Sequence, residues 1–459
     1  MCRSKADGGR LCPCQSSARR SAKYKAKKAA VALGDAPTMG ARSVSDTPAG
    51  VFPEGMPARE SFEKLRAGWD ADAAKTVIAT VSSLTDEELE GAAGDALVAA
   101  YPDMMSAMLS GESKRGLDGV SRRDAVRAAV AVEVGCALGA EADKDADLAR
   151  AREAVKEAKD VEQEALKERK AAVSRGEEAR GAYEAAKERG DYDEAQRLVD
   201  DVDALRAASD ESYRQWSIAL NGVVRANSAL ADARRDAYMR LLSQVRDMGG
   251  GFDAKAVFAP RSSVAGKKIV QGASRLYPSD WNKLFSDPVN NRVKVLMRDG
   301  RDVGSALSEY GSYQHVASRD RDGSIASALR MVERGESGQN EETACHEMMH
   351  RMERVVPGMV GAEQAFLRYR ASDSGHGALY PHFVKRGAPE GYSDSFPRVY
   401  AGRVYDTKEP YAFEVMSVGA EHVFYGRNGD LSSAGDVEGK PSSADREYRG
   451  FVLGVLASL

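Results

Sequence analysis

The chain has 459 residues, of which 42% are hydrophobic and 30% charged, with a formal net charge of −4. That length suits two or three domains, and the charge excludes a molecule that attracts nucleic acid with its whole surface. No run of 18 apolar residues exists to cross a membrane, so no membrane partner is expected.

Five cysteines in so long a chain make no disulfide framework, and the N-terminal basic residues have no apolar signal segment beside them. A reducing, cytoplasmic setting is therefore expected. Residues 1–50 are rich in Arg, Lys, Ser, Gly and Ala and read as a disordered basic arm. Its thiols Cys2, Cys12 and Cys14 lack a fourth ligand for a closed metal site and read as exposed. The run from Arg19 and Arg20 to Lys27 and Lys28 is a solvated patch that offers at most weak nucleic-acid contact.

Residues 58–140 read as a helical unit. Thr85 with Glu88 forms a capping box ahead of Leu89, and Ser121 with Asp124 starts a second helix through Ala125, Val126, Ala129 and Val132. Cys136 falls in that apolar stretch as an inert, buried thiol.

Residues 143–247 carry the clearest periodicity. Alanine recurs every seventh residue at positions 151, 158, 165, 172, 179 and 186. After Gly190-Asp191 a second seam runs from Leu198 through Leu205, Trp216 and Leu230 to Ala233 in steps of four and three. A short break between two such helices predicts an antiparallel coiled-coil hairpin, each arm ~70 Å long at 1.5 Å per residue. The role expected of it is a spacer or an oligomerisation stalk.

At Gly249-Gly250-Gly251 the texture changes, and a C-terminal domain is predicted over 250–459. Residues 292–297 and 313–317 read as strands, and Trp281 as a packing residue. The segment Thr343 to Met352 contains His346-Glu347-Met348-Met349-His350, a His-Glu-x-x-His sequence. On a helix the two histidines share a face and can present two imidazoles to one metal. Glu347 lies about 100° round from His346, placed to reach a metal-bound water without ligating. Zinc lowers the pKa of such a water towards ~7, and a carboxylate can then take its proton. His376 and His382 sit in apparent loops, where surface or structural roles are expected.

Further downstream, 411–421 reads as a helix with Glu414 and Glu421 two turns apart on one face. With Tyr277-Pro278-Ser279-Asp280-Trp281, the segments Asp394-Ser395-Phe396 and Tyr400 to Tyr405, and the tail Asp445 to Leu456, these motifs resemble a family of zinc metallopeptidase domains. That family occurs in phage head-morphogenesis and mobile-element proteins of Gram-positive bacteria. Met1-Cys2-Arg3-Ser4 through Pro13 is similar to a short opening common in actinobacterial proteins.

The resemblance covers about 250–459 and implies a gluzincin arrangement, with a glutamate from a later helix as third zinc ligand. By position that residue is Glu414, while Glu421 could instead orient a histidine. Tyr405 and Tyr411 are candidates to stabilise an oxyanion.

The fold class expected is therefore α+β: a mostly helical N-terminal part with a long antiparallel hairpin, then a zincin-like domain. The function expected is a zinc-dependent endopeptidase acting on polypeptides, associated with a phage or mobile element and its structural proteins, in the cytoplasm or the virion. The alternative is a structural head or scaffold-like protein with a non-catalytic metal site. Glu347 counts against that, since structural zinc sites use four protein ligands and need no base.

Overall fold

The computed structural model describes residues 58–91, 94–97, 101–110, 119–299, 312–319, 325–333, 337–372, 384–385, 388–389, 396, 399–405, 412–426 and 445–459. The basic arm with Cys2, Cys12 and Cys14, and also His376, His382 and Tyr411, lie outside the described residues.

The N-terminal helices are α1 (Ala58–Ala67), α2 (Ala71–Ser83), α3 (Asp86–Glu90), α4 (Pro102–Ser110) and α5 (Arg122–Ala142). Their starts follow from local chemistry. Asp70 accepts from the amides of Asp72 and Ala73, and Thr85 with Glu88 closes a reciprocal capping box. Ser121 caps α5, whose buried face includes Ala125, Val126, Ala129 and Val134.

Helices α6 (Ala146–Glu188) and α7 (Tyr192–Val245) form the long hairpin. Gly190 turns the chain at φ 74°, a conformation that costs a side-chain residue energy, and Asp191 caps α7 through the Glu194 amide. Every alanine of the expected seam is half-buried or buried, and so is each residue of the second seam. The Trp216 indole donates to Glu162 at 2.7 Å, and Arg169 lies over the same ring. Leu148 and Val155 pack with Leu230, which fixes the antiparallel register.

The remaining elements are α8 (Ala254–Val257), α9 (Val264–Ala273), α10 (Ser279–Ser286), β1 (Arg292–Asp299), β2 (Ser312–Arg319), β3 (Ile325–Glu333), α11 (Ser337–Val355) and α12 (Met359–Ser372). After them come two ribbons, β4 (Val384–Lys385) with β5 (Ala388–Pro389) and β6 (Val404–Tyr405) with β7 (Ala412–Phe413), then α13 (Val415–Phe424) and α14 (Arg446–Ser458). The sheet order is β1-β3-β2; β1 runs parallel to β3, and β2 antiparallel. Amides of Ala259 and Ser263 bond to the outer edge of β1 at 2.9 Å each.

One hydrophobic core runs from Phe62 of α1 to Ala457 of α14 and includes Tyr238 and Leu242 at the C-terminal end of α7. The composition changes near 140 and 250 therefore separate textures of sequence within a shared core. A close backbone crossing in that core joins α5 to α14. A Cβ on Gly135 would lie 1.8 Å from the Gly450 carbonyl oxygen, and one on Gly454 would lie 1.7 Å from that of Ala131. Only glycine lets these backbones approach so closely. Beside this crossing, Arg449 and Arg152 both donate to Asp143, at 2.8 and 2.6 Å, so the base of the hairpin is tied to α14. Trp281 is fully buried, in keeping with a packing role.

Candidate metal centre

Helix α11 is fastened on its apolar side before it presents any chemistry. Ala344, Cys345, Met348, Met349 and Met352 are fully buried, one helical stripe against the core. The buried Arg351 guanidinium donates to the carbonyls of Phe285 and Asn291, both at 2.8 Å, and to the Ser327 hydroxyl. The Tyr277 hydroxyl donates to the Cys345 carbonyl at 2.6 Å. These bonds tie α11 to α10, to the sheet and to the segment between them, so the opposite edge of the helix is held in a fixed place.

On that edge, one turn apart, stand His346 and His350. Their Nε2 atoms lie 3.3 and 3.5 Å from the same oxygen, Oε2 of Glu414. Among the described residues this trio is the one group of histidine, cysteine and carboxylate side chains near enough to hold a metal ion, with ligand atoms within 4.8 Å of one another. Tetrahedral coordination at zinc-like bond lengths of ~2.0–2.1 Å puts ligand atoms roughly 3.3–3.4 Å apart. The two nitrogen–oxygen separations fit that spacing.

The other nitrogen of each ring is also engaged. His346 Nδ1 lies 3.0 Å from Glu421, and His350 Nδ1 lies 3.2 Å from both oxygens of Glu353. A carboxylate there accepts the Nδ1–H bond, fixing the tautomer that leaves Nε2 free to coordinate. Ser417 donates its hydroxyl to Glu414 Oε2 at 2.7 Å, which orients the shared carboxylate.

Burial and charge shape the proton affinities. Burial alone would lower both imidazoles, yet the neighbouring carboxylates outweigh it: Glu414 above all pushes His346 up to about 10. Glu353 and Glu414 likewise hold His350 well above its ordinary value. Glu414 is fully buried, which disfavours its charge, but the two histidines hold it well below the usual carboxylate range. Burial pushes Glu347 up to about 7, and its Oε2 accepts no hydrogen bond.

The structure thus brings together His346, His350, Glu347, Glu414 and Glu421. It corrects one local expectation. Glu414 is not one helical face-mate of Glu421 but the residue before the helix, because Ala412 and Phe413 pair with Val404 and Tyr405 and hold the chain extended. The Glu414 amide bonds back to the Arg403 carbonyl at 3.2 Å, and α13 begins only at Val415. The two glutamates consequently approach His346 from opposite sides of its ring. Tyr405 has its backbone in β6, while its side chain lies outside the described residues.

Two acidic residues of the site escaped the sequence reading. Glu353 stands three residues after His350, on the same helical face, a spacing that could have signalled it. Glu363 lies on α12, fully buried behind the centre, and no local pattern marks it. Cys345 is buried with its thiol pushed up to about 12 by that burial, so it takes no part as a thiolate. Among the described residues no helix is long and apolar enough to cross a membrane. Neither family models, nor curated proteins, nor solved structures match this chain.

Proposed function

We propose that the chain is a zinc-dependent endopeptidase. The observation that carries this reading is the convergence of His346 Nε2, His350 Nε2 and Glu414 Oε2 beside the buried, unbonded Oε2 of Glu347. Two imidazoles and one carboxylate form a donor set suited to zinc, and three protein ligands leave room for water. A bound zinc ion would supply a water acidified towards ~7 and a positive charge to polarise a peptide carbonyl.

The chain's own residues do the rest. His346 and His350 hold the ion through Nε2, with Glu421 and Glu353 as the carboxylates that orient their rings. Glu414 supplies the third ligand atom and offsets part of the charge. Glu347, next to His346 in the chain and in the electrostatic reach of His350 and Glu414, accepts the proton the attacking water loses. It then returns that proton to the leaving amine, so the peptide C–N bond is exchanged for a C–O bond with no other reagent. Tyr405 and Tyr411 are our candidates to donate to the developing oxyanion. The motif resemblance supports polypeptide substrates from a phage or mobile element, a cytoplasmic or virion location, and the hairpin as a stalk for assembly.

The test is cleavage of a diverse peptide library by zinc-loaded protein, with Glu347→Gln beside the parent. Glu347→Gln should keep its zinc and lose ~10²–10⁴-fold in rate, since the amide cannot accept the proton. Zinc-loaded parent that cleaves no peptide, its own chain included, would overturn the reading.

A further inference from the structure

We infer that Glu363 is a positioning residue that caps α13 from outside, and so frees Glu414 to serve the metal centre. This rests on the reading of His346, His350 and Glu414 as metal ligands.

A residue at the N-cap ordinarily turns its own side chain back to bond the amides two or three positions on. Glu414 occupies that position on α13 and makes no such bond. Its carboxylate is directed to the two histidines instead. The first-turn amides of α13 are buried and have no partner within the helix, and an orphaned buried N–H is costly. Glu363 supplies the missing acceptor. From α12, 53 residues earlier in the chain, its Oε1 accepts the Met416 amide at 3.0 Å. Met416 is the second residue of the helix, the position a capping side chain normally serves.

Glu363 is itself fully buried, and its Oε2 has no hydrogen-bond partner. Burial, and then the neighbouring Glu353, holds its carboxyl well above the usual range. What it gives to the helix is the acceptor oxygen Oε1, delivered from another element. Glu363 bonds the amide that an N-cap side chain usually bonds, and Glu414 is left to face the two histidines. Without Glu363, the residue placed at the N-cap to bond Met416 N with its own side chain is Glu414. Turning back to do so would carry its oxygen away from the imidazoles.

The experiment compares the full chain with Glu363→Met, Glu363→Gln and Glu414→Ala. Each protein is titrated with Zn²⁺ and with Co²⁺, whose visible absorption reports the ligand set, and folding is followed by circular dichroism. Glu363→Met keeps the side-chain length and removes the acceptor; it should fold and bind metal ~10–100-fold more weakly, as changes behind a ligand do. Its Co²⁺ spectrum should move towards that of Glu414→Ala. Glu363→Gln keeps an acceptor oxygen and should match the parent in affinity and spectrum.

A folded Glu363→Met with parental affinity and spectrum would overturn the inference. So would a Glu363→Gln as weak as Glu363→Met, because charge and not the acceptor would then matter. If Glu363→Met does not fold, Glu363→Gln decides: parental affinity supports the acceptor role, and a ~10–100-fold loss refutes it. A parent that binds neither metal would overturn the metal reading itself, a different failure from either of these.

Discussion

Along α6 an alanine returns every seventh residue and meets chiefly one partner, α7, which the chain reaches through a single tight turn. Around His346 and His350 the contacts are of another kind: Glu414 and Glu421 come from a segment about 70 residues on, and the Glu353 carboxylate from the next turn of the same helix. The hairpin repeats one weak contact many times, so its information is local and redundant. The metal centre uses each side chain once, and its geometry depends on helices packed from both ends of the sequence. A hairpin of this kind tolerates damage where it occurs, whereas the centre should fail when a distant packing contact is broken.

The largest expected effect breaks the comparison at that distant contact. Gly454→Leu would drive a side chain into the Ala131 carbonyl, 1.7 Å from where its Cβ must stand. Overpacking of a close-packed core costs ~1–3 kcal/mol, and a backbone collision belongs at or above the top of that range. Thermal melts should show a cooperative loss of stability together with loss of metal binding, although residue 454 lies far from His346 in sequence. An unchanged melt would mean that α5 and α14 do not cross as described.

Ala165→Pro probes the other region with a local lesion of ~3 kcal/mol, from a lost helical hydrogen bond and a ring clash. Here helicity should fall in the middle of the hairpin while metal affinity stays parental. Circular dichroism and zinc titration on the same sample report both, and a joint loss would show the two regions to be one cooperative unit.

Between them lies the junction at Asp143. Burial raises its carboxyl, but hydrogen bonds from Arg449 and Arg152 prevail and hold it below its ordinary 3.8. A lowered folded-state pKa contributes stability that is present above about 3.8 and lost as pH falls through the folded value. The melting temperature of Asp143→Asn should therefore fall less steeply than the parent's below that pH. Parallel curves would remove Asp143 from the acid response. The smallest effect is expected from Glu162→Ala, which deletes the acceptor of the Trp216 indole; a single hydrogen bond of this kind is worth about 0.5–1.5 kcal/mol. A melt shifted by more than such a bond allows would show the hairpin to be less redundant than its repeats imply.

The same contrast explains what could be read without coordinates. The two hairpin seams, the capping box at Thr85 and the His346/His350 pair are all written within one or two turns of helix, where spacing decides contact. Strand β1 is legible over 292–297 as a short β-branched run, two residues short of its end. The order of the surrounding motifs points to Glu414, and its place before rather than within α13 depends on a ribbon that spacing does not reveal. The crossing of Gly135 with Gly450 and Gly454 joins residues more than 300 apart, and neither helix carries a local sign of the other. Glu363 is the extreme case, a lone acid in an otherwise ordinary helix whose meaning comes entirely from the amide it meets.

Metal content tests the centre most directly. Protein equilibrated with zinc and then freed of loosely held ions should retain one ion per chain, and His346→Ala and Glu414→Ala should each retain little, with their folds intact by circular dichroism. Glu421→Ala, which alters only the far side of one imidazole, should keep the ion with ~10–100-fold weaker affinity. A folded parent that retains no zinc, or a Glu414→Ala that binds more tightly than Glu421→Ala, would contradict the assignment of His346, His350 and Glu414 as the metal ligands.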